Sequence, residues 1–195
     1  MTAWYFAVVF LFVAVVILAF AVFVLARQIG ILYERIAPMG ALMNDSGPKI
    51  GDTTPALQLP NLNGATIHLG AEHPKARLIF FLSPTCPICK KLLPVLQSVR
   101  VSEADWLDVI LASDGEEDKH RRFVQTAKLG EFPYVLSTEL GLAYRVARLP
   151  FAVLLDRQGV IRAKGLVNSR EQLESLFNAY DLGVASIQSY FEPNP

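Results

Sequence analysis

The chain is poor in cysteine, with two among 195 residues, and poor in charge, with 18% Asp, Glu, Lys and Arg. Two cysteines exclude a disulfide-stapled scaffold and any all-cysteine zinc or iron–sulfur site. Eighteen basic residues balance eighteen acidic ones. No basic block occurs, so the cationic footprint of a nucleic-acid binder is missing. Internal repeats and low-complexity tracts are absent too. What the chain has in excess is apolar residues, 52% overall, and they are unevenly spread. All but Thr2 of the first 26 residues are apolar, whereas the other 169 are about 45% apolar. That is an ordinary value for one globular domain with its own core.

From Ala3 to Ala26 there is neither charge nor proline. Twenty-four residues rising 1.5 Å each span about 36 Å, enough to cross a hydrocarbon core of about 30 Å with some tilt. Trp4 and Tyr5 at one end suit a membrane interface, and Arg27 closes the other. A cleavable signal peptide fits less well. The run is too long, no Lys or Arg precedes it, and no small-x-small site comes before Arg27. The expected organisation is a transmembrane anchor over 1–26, a juxtamembrane linker over 27–48 and a globular domain over 49–195. Arg27 and Arg35 follow the segment while only the α-amino group precedes it, so charge alone would place the domain in the cytoplasm.

Within the domain, Leu57 and Leu59, then Ile67 and Leu69, alternate around Asn63-Gly64 and predict a β-hairpin. The continuous apolar runs 76–83 and 106–113 read as buried strands. Between them Leu92, Leu93, Leu96 and Val99 make a helical stripe, predicting a helix over 90–101. A polar helix is expected over 116–128, a short strand over 134–137 and a short helix over 138–146. Residues 151–156 and 160–167 read as a strand pair around Arg157-Gln158-Gly159. Ser169, with Gln172 at the capping-box position, then starts a helix with Leu173, Leu176 and Phe177 on one face. Alternating strands and helices place the domain in the α/β class.

Both cysteines lie in SPTCPICKKLLP, with Cys86 and Cys89 three apart where a buried strand gives way to a helix. A helix start gathers unpaired backbone N–H groups and the positive end of the dipole. A thiolate is stabilised there, and the thiolate is the species that attacks disulfides. Cys86 is then the attacking thiol. Cys89, one turn along and shielded by the helix, is in reach to close a Cys86–Cys89 redox disulfide and resolve the intermediate. Pro87 suits the first helical turn because its missing N–H has no intrahelical partner there. Two structural alternatives stand beside this reading. Zinc would need ligands from His68, His73 and His120, which lack paired ligand spacing, and two inert buried thiols are the other. The three histidines read as solvated or capping residues, and 116–122 as a solvated helix face. Neither metal nor cofactor is expected.

Leu149-Pro150 lies immediately before an apolar strand, about sixty residues past the cysteines. With it the pattern of strand, CPIC, helix, later proline and terminal strand pair plus helix resembles thioredoxin over roughly residues 50–180. The resemblance implies a thioredoxin-like fold, a mixed central sheet flanked by helices, with the hairpin as an N-terminal addition. It also implies a cis Pro150 whose loop faces the cysteines, so that Pro87, Ile88, Leu149 and Pro150 line a substrate groove. Pro94 matches the family's proline inside the active-site helix. Two positions depart from the family: Thr85 replaces an aromatic residue, and Phe80 replaces the buried carboxylate that accepts the second thiol's proton. That loss argues against a general reductase.

The anchor, the length and the segment FFLSPTCPICKKLLPVL resemble more narrowly the MauD family, thioredoxin-like accessory proteins of bacterial methylamine utilisation. This resemblance implies an inner-membrane protein with a periplasmic domain and a client dense in disulfides, the small subunit of methylamine dehydrogenase. It also implies a multi-spanning membrane redox partner. The expected function is a membrane-anchored thiol–disulfide oxidoreductase that forms or isomerises disulfides in that client. The alternatives are a general periplasmic reductase, a peroxiredoxin-like peroxidase (whose Thr-x-x-Cys pattern is missing) and a non-catalytic chaperone.

Overall fold

A computed structural model describes residues 2–35 and 47–182, which belong to two units dividing after Asn44. The first unit holds α1 (Thr2–Arg35). Its segment Trp4–Val24 is long and apolar enough, by length and composition, to cross a membrane. Large side chains such as Phe6, Leu11 and Ile17 are exposed on it. Apolar residues occupy the whole circumference rather than one stripe, as in a helix made for an apolar solvent. The helix runs past residue 26, into the expected linker; residues 36–46 of that linker lie outside the described residues.

In the second unit β1 (Leu57–Pro60) and β2 (Thr66–Leu69) form the expected antiparallel hairpin, with Leu57 opposite Leu69 and Pro60 opposite Thr66. Its loop is closed by the Asn61 N–H donating to the Ala65 carbonyl at 2.8 Å. Gly64 takes φ +90, which a side chain would resist. The remaining elements follow in chain order: β3 (Ala76–Phe81), α2 (Pro87–Ser102), β4 (Leu107–Ser113), α3 (Glu117–Thr126), β5 (Tyr134–Leu136), α4 (Thr138–Ala143), β6 (Phe151–Leu155), β7 (Ile161–Leu166) and α5 (Arg170–Leu182). The strands β3 to β7 form one sheet in the order β5-β4-β3-β6-β7. β3, β4 and β5 run parallel, and β6 is antiparallel to both β3 and β7. This is the mixed sheet expected of a thioredoxin-like fold.

The crossovers β3-α2-β4 and β4-α3-β5 step in the same direction across the sheet, so right-handed connections put α2 and α3 on one face. Period-two alternation then divides the core. Leu78, Phe80 and Leu82 point to the face covered by Leu92, Leu93, Leu96 and Val99 of α2 and by Leu173, Leu176 and Phe177 of α5. Ile79 and Phe81 point to the other, covered by Leu140 and Tyr144 and by Leu59 and Leu69 of the hairpin. Buried Arg77 ties the hairpin to β3, its guanidinium donating to the carbonyls of His68 and Ala71. At the start of α5, Ser169 Oγ accepts the Gln172 N–H at 3.4 Å, and Gln172 Oε1 accepts the Asn168 N–H at 2.6 Å. This is a capping box moved one residue outward.

One end of the sheet matters most for chemistry. Phe81 sits opposite Ala112 on one side and Phe151 on the other. The loop leaving β3, the loop leaving β4 and the loop entering β6 therefore open at the same end. Open α/β sheets bind ligands at the carboxyl ends of their parallel strands.

Candidate functional site

The loop leaving β3 runs through Ser83, Pro84 and Thr85 into α2, which begins at Pro87, three residues earlier than the apolar stripe suggests. Cys86 is the reason. It occupies the N-cap with an extended backbone (φ −82, ψ 113), and its Sγ accepts the Cys89 N–H at 3.2 Å. The sulfur thus does what a serine or threonine oxygen does at most helix starts, satisfying an otherwise orphaned donor. The Cys86 N–H donates to the Ser83 carbonyl at 3.1 Å, which fixes the approach to the cap. Pro94 lies inside α2, where its lack of an N–H leaves the Lys90 carbonyl without the usual donor.

The two thiols sit in different surroundings. Cys86 is half-buried at the helix start, beside the exposed Pro87 and Ile88. Cys89 is 0% exposed and belongs to the cluster of Phe80, Leu92 and Leu96. Burial, reinforced by the hydrogen bond with Cys86, pushes the Cys89 thiol up to about 12. One cysteine is reachable; the other is held neutral behind it.

The Leu149-Pro150 peptide is cis. Pro150 is buried and its carbonyl accepts the Val167 N–H at 3.2 Å, while Leu149 is exposed. Register alone puts this loop at the cysteine end, because Phe151 pairs with Phe81 just before the chain turns toward Cys86. Ile88, in the first turn of α2, and Leu149, on the loop entering β6, are thus exposed apolar side chains at that end. Thr85 is exposed, and Phe80 is wholly buried in the same cluster as Cys89.

The histidines need a correction. His68 is exposed and His73 is half-buried, 3.7 Å from the Asp108 carboxylate. His120, expected to be solvated or capping, is 4% exposed and points into the core. Its Nε2 lies 2.9 Å from the Asp114 carbonyl and its Nδ1 2.8 Å from the Tyr134 hydroxyl. The stretch 116–122 is otherwise a solvated face. The spacing contains the missed signal: His120, Phe123, Val124 and Ala127 follow the i, i+3, i+4, i+7 pattern of a buried stripe, and the last three pack on the core. Among the described residues no three of His, Cys, Asp and Glu come together as a metal cage would require.

Residues 50–177 match the model of the AhpC/TSA family. The structure is similar to that of a thiol-disulfide oxidoreductase from Bacteroides fragilis, with a TM-score of 0.55 at 20% identity, over 64% of this chain and 99% of that one. It is also similar to the thioredoxin domain of a thiol-disulfide oxidoreductase from Bacteroides vulgatus, with a TM-score of 0.56 at 19% identity, over 73% of this chain and 98% of that one. At such identities the likeness speaks to the fold. The sequence goes further. It is 44% identical over 156 residues to the methylamine utilization protein MauD of Paracoccus versutus, covering 80% of this chain and 78% of the relative. With MauD of Paracoccus denitrificans the identity is 46% over 158 residues, covering 80% and 78%. The AhpC/TSA model spans most of the second unit, and this identity extends over four-fifths of the chain, so the protein belongs to the AhpC/TSA family and, within closer range, to the MauD family.

Proposed function

We propose that the protein is a membrane-anchored thiol–disulfide oxidoreductase that forms or isomerises disulfides in a protein client, the small subunit of methylamine dehydrogenase. One observation carries the reading: Cys86 is a reachable sulfur at a helix start, with Cys89 buried one turn behind it and its N–H on the Cys86 sulfur. In the oxidising direction a client thiolate attacks Cys86 of the Cys86–Cys89 disulfide. The bond to Cys89 breaks, and Cys89 leaves with the electron pair and takes up a proton. A second client thiolate attacks the client sulfur of the mixed disulfide, and Cys86 leaves. The client has lost two electrons, which stay on the cysteine pair until a membrane redox partner removes them. In isomerisation Cys86 attacks a client disulfide and another client thiol displaces it, with no net change. Pro87, Ile88, Leu149 and Pro150 form the apolar groove for client backbone.

Residues 1–26 anchor the chain, 27–48 link it and 49–195 carry the exchange, in the periplasm. Disulfide formation needs an oxidising compartment, and two arginines after the anchor weigh little against a large domain. The decisive experiment is trapping with Cys89→Ala, which stalls the mixed disulfide on Cys86 and identifies the client by mass. Recovery of no disulfide-linked protein, together with full function of a Cys86→Ala/Cys89→Ala chain in vivo, would leave a chaperone instead. Alkaline-phosphatase fusions after residue 48 and after residue 180 report the compartment; inactivity of both refutes the periplasmic placement.

A further inference from the structure

Cys89 presents a chemical problem. Its thiol is neutral and wholly buried among apolar side chains, yet the exchange reaction requires it to lose a proton as it attacks and regain one as it leaves. Among the described residues the titratable group in contact with the Cys89 thiol is Cys86, at the start of the same helix, while Tyr134, from β5, feels the Cys89 charge without being hydrogen-bonded to it. Tyr134 is 0% exposed and shares the Cys89 cluster. Its hydroxyl is held high mainly by burial, and Cys89 adds to the effect.

Behind Tyr134 stands His120. A carbonyl can only accept, so the 2.9 Å contact with Asp114 places the proton of a neutral His120 on Nε2. Nδ1 is then an acceptor, and the Tyr134 hydroxyl donates to it at 2.8 Å. The tyrosine oxygen keeps lone pairs for a proton arriving from the other side. Ser113 borders it with its own proton committed to the Leu82 carbonyl at 2.7 Å. Burial holds His120 below the ordinary histidine value of 6.5, so it is a free base at neutral pH; Asp114 acts in the opposite sense.

We propose that Tyr134 and His120 are the proton-transfer pair of Cys89, taking its proton when it attacks the mixed disulfide and returning one when it leaves. The proposal rests on the exchange reaction set out above. As Cys89 sulfur bonds to Cys86, the bond from Cys86 to the client sulfur breaks and the client leaves with the electron pair. The cysteine pair is oxidised and the client disulfide reduced. The step requires the Tyr134 hydroxyl to close to hydrogen-bond distance of Cys89. The Cys89 proton then passes to the Tyr134 oxygen while the Tyr134 proton passes to His120 Nδ1, leaving an imidazolium bonded through Nε2 to the Asp114 carbonyl. The reverse sequence serves the oxidising direction. Asp114 lies at the open end of β4 and is exposed, which gives the imidazolium a route for exchange with solvent.

The test uses the full-length chain in detergent with dithiobis-nitrobenzoate, whose reduction releases one coloured thiolate when Cys86 attacks and a second when Cys89 resolves. Tyr134→Phe and His120→Gln should each slow the second phase at neutral pH on the order of 100-fold, leaving the first within about twofold. In the unaltered protein the second phase should hold level above the ordinary histidine value of 6.5 and decline below it. In the variants it should climb with pH, about tenfold per unit, as hydroxide replaces the lost base. Folded variants that resolve at the unaltered rate with an unchanged pH profile overturn the proposal while sparing the exchange reading. Where the variants lose their near-ultraviolet dichroism, the unaltered protein decides alone: a second phase climbing about tenfold per unit through neutral pH overturns the pair. A first phase with no second, in the unaltered protein, defeats the exchange reading and this proposal together.

Discussion

The two faces of the sheet each bury one tyrosine with a polar partner, and the partners differ. Tyr134 lies under α2 and α3, wholly buried, with its hydroxyl on His120. Tyr144 lies on the opposite face, 4% exposed, with its hydroxyl 2.9 Å from that of Thr54. Burial raises both above the ordinary tyrosine value, Tyr144 to about 12. Satisfying a buried hydroxyl needs only a partner of suitable geometry, and a threonine suffices. A histidine does the same and can also hold a proton near neutral pH. What separates a structural hydrogen bond from a chemical one is the partner's titration and the neighbour on the far side. Tyr134 shares its cluster with Cys89, a thiol that gains and loses a proton during exchange. Tyr144 has the Phe81 ring, at 5.8 Å between centroids, and the charge of Arg77, a guanidinium that does not give up its proton.

The comparison breaks first by truncation. Tyr134→Ala and Tyr144→Ala should each destabilise the domain by about 3–5 kcal/mol, because a large buried ring leaves a cavity on either face. Urea midpoints that differ greatly between the two would show that the faces do not carry equal weight. Next, removal of the hydroxyls should separate the pair functionally. Tyr144→Phe should resolve a mixed disulfide within about twofold of the unaltered rate, in contrast to the loss on the order of 100-fold for Tyr134→Phe. Equal slowing by both would point to a general loss of packing. The same two variants should cost only about 1 kcal/mol each in stability, read from the urea midpoints.

The smallest effect is on pH-dependent stability. His120 is held below 6.5 by burial, so the unfolded chain binds its proton more readily than the folded one. Its contribution is present above 6.5 and is lost as pH falls toward the lower folded value. Acidification should therefore shift the urea midpoint of the unaltered protein further than that of His120→Gln; equal shifts would contradict the burial of a neutral imidazole.

Much of this arrangement is legible in the sequence because its signals are local. The runs 76–83 and 106–113 need no partner to read as buried strands, and β3 and β4 follow within a few residues. Cys86 and Cys89 announce a helix start by spacing and by Pro87. Pro150 stands out by its place before an apolar strand. His120 does not, since its surroundings are charged and its burial depends on Tyr134, fourteen residues on and two strands from β3, the strand that leads to the cysteines. Phe80 told only that a carboxylate was missing; what stands in its place comes from another strand. The start of α2 was likewise invisible to periodicity, because the residues of its first turn are chosen for capping rather than for a stripe.

The segment between Gly51 and Leu62 touches both outer strands of the sheet. At β7 the Gly51 N–H donates to the Ile161 carbonyl at 2.8 Å, and the Ile161 N–H to the Asp52 carbonyl at 2.9 Å. At β5 the Leu62 N–H donates to the Tyr134 carbonyl and the Tyr134 N–H to Asn61 Oδ1, each at 2.9 Å. An open sheet offers its unpaired edges as templates to any extended peptide. Here the chain's own backbone occupies Ile161, and backbone and the Asn61 side chain together occupy Tyr134, so at those residues neither a neighbouring copy nor an unfolded polypeptide can lengthen the sheet. In the proposed exchange with a client that has not finished folding, that closure would keep the client from adding as a strand there and leave the loops above the sheet free for it.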